Sequence, residues 1–336
     1  MDNSNKLRET LREDLNVIAK RFISIYDLKY TENVSKLACP VTRWLDFRLR
    51  YVSPKPRKLV YSNKFPDALS GLDPDIRAGW DILAKKIEIG EDINPYQGKG
   101  LIRNNDTSDE NPTQRTDLLW ASWGVLHFHL TSEPILPNEH FSKRSSYQAF
   151  CAFDEDAVAV IDIRAHPRGS GYSDPDFLHI IAESWPYAMD HAELKGIMPG
   201  ELQTADEIHR LRKVGVNTVI NIKGKSYMNP AAGLTSAGTA LNQQMYLIKI
   251  NDTVRVLSDL IELDPVFNDH VSQAGVTNPV YGLTILQSGV SLYEEKSKIA
   301  FSLDVPSLPS LKLLQEDLFP KWALKKYAMS DFASEF

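Results

Sequence analysis

Apolar positions near the start of the chain recur at intervals of three and four: Leu7, Leu11, Leu15, Ile18, Phe22 and Ile25 fall on one stripe of an amphipathic helix. Such a stripe needs a partner surface, supplied by the rest of the chain or by a second copy. A second helix is predicted from Pro40, which suits a first helical turn, to about Tyr51, before Pro54 and Pro56 break the pattern. The period then changes. Lys58 to Ser62 reads as a short strand. Beyond a turn-rich stretch, Ile76, Trp80, Leu83 and Ile87 mark a helix with Asp73 as its cap, Pro74 in its first turn and Gly90 at its end. Asn94 to Gln114 is polar and rich in turn formers, which predicts a long loop of the kind that often serves a site.

Strands are predicted over Leu118 to Thr131, Ser146 to Phe153 and Ala157 to His166, the last two joined by the tight turn Asp154-Glu155-Asp156 that enforces antiparallel pairing. Phe177, Ile180, Ile181 and Trp185 then mark a helix that Pro186 ends. In the last third, a capping box runs from Thr204 to Glu207 and opens a helix that closes at Gly215. The strand 216–222 turns through Lys223-Gly224-Lys225, and the loop Ala231 to Thr239 caps a following helix, lacking the lysine of a P-loop. A helix from Val254 to Leu263 and a hairpin of 281–287 with 298–304 complete the reading. The expected fold is α+β: a helical region over 1–56, an antiparallel sheet with helices on one face over 57–190, and a C-terminal α+β region over 191–336.

Composition supports a globular chain, with 336 residues, 43% hydrophobic and 24% charged, long enough for two or more cores. Cys39 and Cys151 are too far apart for a metal knuckle or a redox pair and read as buried small hydrophobes. The first residues are charged, unlike a signal peptide, and the apolar runs are too short for a bilayer span, so a cytoplasmic protein with no membrane partner is expected. A net charge of -6 argues against coating nucleic acid over the whole surface. One basic stretch, Arg43, Arg48, Arg50, Lys55, Arg57 and Lys58 with only Asp46 among them, leaves room for a local patch.

Strand alternation then sorts the polar residues. Val125, His127, His129 and Thr131 share one face of their strand, and Val158, Val160, Asp162, Arg164 and His166 share one face of another, so the opposite apolar faces should take the helices and this side should stay open. Metal-independent RNA cleavage needs a base for the 2′-hydroxyl, an acid for the leaving 5′-oxygen and a cation for the charged phosphorane. His129 and His166 are the acid/base candidates, in unassigned order; Arg144 or Arg164 would hold the phosphate, with Tyr147 and His127 in support. Trp120 and Trp123, on opposite faces of the predicted strand, offer one indole for base stacking. Against these stands the plain reading, a surface histidine and an Arg164 paired to Asp162 or Asp156. A further alternative uses His127 and His129, with His140 or His166, as zinc ligands; the arginines suit an anion better than a dication.

The order of elements over Lys58 to Pro186 resembles the RelE/ParE toxin superfamily, within the barnase- and RelE-like ribonuclease folds. SYQAFCAFDEDAVAVIDIRAH is similar to the two-strand core of those toxins, with an arginine-led strand, an acidic turn and an Ile/Val-rich strand ending in a basic residue or histidine. The chain also resembles a bacterial family bearing RTDLLWASWGVLHFHLT and an ESWP motif, which names no activity. The toxin resemblance implies that Arg144, Tyr147, Arg164 and His166 bind or cleave RNA, free or on the ribosome, in a toxin-antitoxin or phage-defence role. It implies no cofactor, and an antitoxin, a regulatory protein or a second copy of the chain as partners. A non-enzymatic binding module on the same fold is the alternative, because relatives in that superfamily include gyrase poisons. Departures are size and charge, since those toxins are small and basic.

Overall fold

A computed structural model describes residues 3–32, 39–286, 289–301 and 308–334. The chain is a mixed α+β protein. Its first half holds α1 (Asn3–Ile25), α2 (Pro40–Arg50), β1 (Lys58–Tyr61), α3 (Phe65–Ser70), α4 (Pro74–Ile89) and α5 (Leu118–Trp123). Then come β2 (Val125–His129), β3 (Tyr147–Phe153), β4 (Ala157–Ala165), α6 (Asp176–Ser184), α7 (Ala205–Lys213), β5 (Ile220–Ile222) and β6 (Lys225–Tyr227). The last part holds α8 (Leu241–Leu263), α9 (Pro265–Gln273), β7 (Tyr281–Leu286), β8 (Gly289–Glu294), β9 (Ala300–Phe301), α10 (Pro309–Leu318) and α11 (Lys321–Ala328). No helix among the described residues is long and apolar enough to cross a membrane.

Two compact units emerge, one of 1–48 with 243–336 and the other of 49–242. The expected central module, 57–190, falls inside the second, which also takes up residues as far as 242; the N- and C-terminal segments, expected apart, make up most of the first. In that first unit the stripe of α1 finds its partners inside the chain: Leu11, Leu15, Ile18 and Phe22 are buried, Phe22 stacks on Trp44 and Phe319, and Asp14 accepts the Leu283 N–H of β7 at 2.8 Å. Within the basic stretch, Arg43 is buried beside Asp46 and donates to the Lys29 carbonyl, and Arg50 is buried too, so the two contribute no surface charge. The predicted hairpin is displaced: β7 pairs with β8, and the later segment contributes only the short β9, because Gly289 opens a nearer return strand. Asp304 and its neighbours lie outside the described residues. The helix expected from Val254 begins already at Leu241.

In the second unit the sheet order is β1-β4-β3-β2. The meander β2-β3-β4 is antiparallel as expected, but β1 adds to β4 in parallel. Helices cover both faces, which corrects the one-sided arrangement. On one side α4 and α5 pack Trp80, Leu83 and Trp120 against Leu126, Phe128, Leu130, Cys151, Val158 and Val160. On the other, Phe177, Ile180 and Ile181 of α6 pack with Trp123, Val125, Phe150 and Ile161. The faces of β4 exchange partway along the strand. Phe150 pairs with Asp162 but Cys151 pairs with Val160, so Ile161 is a bulged residue. Val158 and Val160 therefore face the first core, and only Asp162, Arg164 and His166 remain on the side of His127 and His129.

The N-terminal half of the long predicted strand is helical instead. Asp117 caps it, one carboxylate oxygen accepting the N–H groups of Leu119 and Trp120, and Gly124 ends it at φ +73°. Trp120 and Trp123 thus sit on a helix, one in each core, and neither faces a hollow.

Candidate functional site

The C-terminal end of β2 and the N-terminal end of β3 form one wall of a hollow of about 510 Å³ within the second unit. His129 pairs directly across the ladder with Gln148, and His166 follows β4 on the same side. Residues 97–105 and 113–119 close the opposite wall, and the strap Gly169–Ser173 closes one end. The polar loop of the sequence is thus an ordered wall. Asn94 fastens it, its side chain accepting the Val52 N–H and donating to the Val52 carbonyl, both at 2.8 Å, while Gln97 donates to the Arg50 carbonyl.

His129 and His166 meet as expected, with rings stacked at 27° and centroids 5.5 Å apart. Their ring nitrogens are not equivalent. The Ser145 N–H donates to His129 Nδ1 at 3.4 Å, which puts the ring proton of a neutral His129 on Nε2. His166 Nδ1 lies 3.1 Å from the Pro167 carbonyl, an acceptor only, so this nitrogen donates and a neutral His166 keeps its lone pair on Nε2. Burial, with His127, His166 and Arg144 nearby, pushes His129 down to about 4, and it is neutral at pH 7. The backbone leaves its outer edge uncovered at Gly98, where a Cβ would stand 3.3 Å from Nε2 and the φ of +71° and ψ of -160° suit glycine alone.

His127 also lines the hollow, its ring 5.0 Å from that of Tyr172 and its Nδ1 3.7 Å from Asp117. Burial lowers its pKa; Asp117 works against this, and His166 and Arg50 add to it. Arg144 stands exposed on the rim with Lys99, and among the described residues it has no carboxylate partner.

Two expected residues lie elsewhere. Arg164 turns away from the hollow to Asp162, Asp174 and Asp176, at 2.6, 2.7 and 2.6 Å, and its guanidinium lies 4.2 Å over the Phe177 ring. Each of its three nitrogens donates to a carboxylate, so Arg164 is a structural clamp between β4 and the start of α6. Tyr147 points to the other side of the sheet and packs on the first core. As for the zinc alternative, His140 sits exposed against Phe141 and outside the hollow, and no cluster of three or more His, Cys, Asp or Glu among the described residues is arranged to hold a metal.

Residues that strand alternation missed complete the site. Tyr172, pushed up to about 12 by burial, keeps its proton and donates to Gln148 Oε1 at 2.8 Å. Arg212 of α7 braces the strap: its Nη1 donates to the Tyr172 carbonyl and to Ser173 Oγ, while its guanidinium lies 3.9 Å over Trp123. Burial pushes Arg212 down to about 9. Gln148 was readable as the cross-strand neighbour of His129 once the register was known; nothing local marked Tyr172 or Arg212, which come from a strap and a helix far along the chain. No family model matches the chain, and neither a curated protein nor a solved structure matches it.

Proposed function

We propose that the hollow binds an RNA phosphodiester and cleaves it without a metal, as an endoribonuclease of toxin or phage-defence type related to the RelE-like ribonucleases. One observation supports this above the others: His129 and His166 stack in a solvent-reachable hollow with opposite tautomers, one presenting an N–H and the other a lone pair. In this reading His166 takes the proton of the 2′-hydroxyl. The 2′-oxygen bonds to phosphorus and the bond to the 5′-oxygen breaks, giving a 2′,3′-cyclic phosphate and a 5′-hydroxyl that takes its proton from water. Neutral His129 donates a hydrogen bond to a phosphoryl oxygen, and Arg144 supplies the countercharge. A neutral histidine placed as a donor stabilises developing negative charge without itself exchanging a proton. As a toxin-type enzyme the protein would act in the cytoplasm, on free or ribosome-bound RNA, under the control of an antitoxin or regulatory partner.

The test is incubation of the purified protein with single-stranded RNA in the presence of a chelator. Expected are cyclic-phosphate ends and a fall of roughly 10²–10⁴-fold in His166→Ala. Intact RNA with the wild-type protein, or full activity in that variant, removes the proposal. With His129 neutral down to about pH 4, its ionisation sets no limb of the activity profile between about pH 5 and 8, so a bell between two histidines is not expected. That same neutrality favours a second reading, a nucleic-acid-binding module without cleavage, since it takes His129 out of the acid/base pair that cleavage by two histidines would use. Binding of RNA with no cleavage, and equal growth of cells expressing wild type, His129→Ala, His166→Ala and Arg144→Ala, would select it.

A further inference from the structure

Gln148 has a side chain with one half spoken for and the other half open. It is only 1% exposed, yet it lines the hollow. The Tyr172 hydroxyl donates to its Oε1, which turns the amide oxygen toward the strap and leaves the NH₂ group on the hollow side. Among the described residues that nitrogen has no protein acceptor, nor is it sealed from solvent. A buried amide that offers only donors to an open space is built for an acceptor from outside. His129 makes the same offer from the facing strand through Nε2–H, over the gap that Gly98 leaves. Residues opposed across an antiparallel ladder have Cβ atoms about 4.5–5.5 Å apart, close enough for both donors to reach one atom.

The acceptor's charge follows from its surroundings. Arg144 and Lys99 stand at the rim. Asp117, the one carboxylate among the described residues that line the hollow, is committed, with Oδ1 to the N–H groups that open α5 and Oδ2 facing His127. We propose that Gln148 and His129 form a two-donor cradle for one oxygen of a phosphoryl group, with Tyr172 as the positioning residue that aims the Gln148 amide. The inference rests on reading the hollow as a phosphate site and needs no cleavage.

Two probes test it, inorganic phosphate and a 2′-deoxydinucleotide that this chemistry cannot cut, titrated while the side-chain ¹⁵N resonances of Gln148 and His129 are followed. Both resonances should move on binding. Gln148→Glu keeps the acceptor for Tyr172 but replaces the NH₂ by a carboxylate oxygen, and should weaken binding more than 100-fold. Gln148→Met, which keeps the bulk and carries the test if the glutamate variant does not fold, should weaken it about tenfold, the effect of one hydrogen bond to a charged group. Tyr172→Phe should weaken binding several-fold in the wild-type background and add nothing in Gln148→Met; a merely structural role for the hydroxyl would act equally in both. Unchanged affinity in folded Gln148→Glu or Gln148→Met overturns the cradle alone. Failure of the wild-type protein to bind either probe overturns the cradle and the phosphate reading together. Binding that these variants destroy, without RNA cleavage by the wild type, supports the cradle and overturns only the nuclease.

Discussion

Arg144 and Arg164 approach the same face of one sheet, and their surroundings are opposite. Around Arg164, three carboxylates each take one nitrogen of the guanidinium and an aromatic ring lies under it; burial works against its charge and the aspartates more than offset this, so the cation is fixed. Around Arg144 no carboxylate among the described residues answers, and the nearby imidazole of His129 is held neutral. Carboxylates paired to every nitrogen make a clamp, whereas a cation without such partners beside a hollow makes a site. Cationic side chains alone do not separate the two, and their partners do.

Acidification should produce the largest effect at the open end. The folded-state pKa of His129, about 4, lies below its unfolded value near 6.5, so between these values the unfolded chain binds more protons and stability falls as pH falls. The loss from pH 7 to pH 4 attributable to this group is about 3 kcal/mol, and the depressed pKa of His127 adds in the same sense. Urea unfolding across that range should show a clearly shallower slope for His129→Gln; parallel curves would mean the ring is not held neutral.

Next in size is the clamp. Arg164→Leu leaves three carboxylates facing one another, and with the arginine side chain 21% exposed the expected loss is about 2 kcal/mol. The same change at Arg144 should stay within about 0.5 kcal/mol. Equal denaturation midpoints for the two variants would erase the distinction between the two ends.

Smaller still is the effect of Gly98→Ala, at roughly 1 to 2 kcal/mol, from a φ that side chains avoid and contact with the His129 ring. Gly71→Ala, at a negative φ with open space around it, should be close to neutral. Phosphate binding should fall in Gly98→Ala and stay unchanged in Gly71→Ala; retention in both would show that His129 Nε2 is reached from another side.

Much of the fold was legible because it follows from local rules. The stripe of α1, the first-turn Pro74 and closing glycine of α4, the acidic turn between β3 and β4 and the Thr204–Glu207 capping box all appear where the spacing put them, whereas Asp73 precedes α4 as expected but its side chain makes no capping hydrogen bond. Misreadings arose where two local signals competed. Between Asp117 and Gly124 the alternation looked like a strand, yet a side-chain cap and a left-handed closing residue satisfy the backbone as one short helix. The hairpin of β7 failed similarly, since two strands were eligible and the nearer one closes the shorter loop.

The pairing of His129 with His166 was foreseeable from period-two alternation, because any residue of a strand knows its own face. What lies across from that face is another matter. A single bulge at Ile161 moved Val158 and Val160 to the opposite core while leaving His166 in place. Whether an arginine clamps or binds depended on aspartates ten and twelve residues further on, folded back onto it. Alternation, capping and turn chemistry are properties of neighbouring residues and can be read along a chain. Partner saturation and solvent access depend on groups that meet only when distant segments pack, and tertiary structure alone decided them.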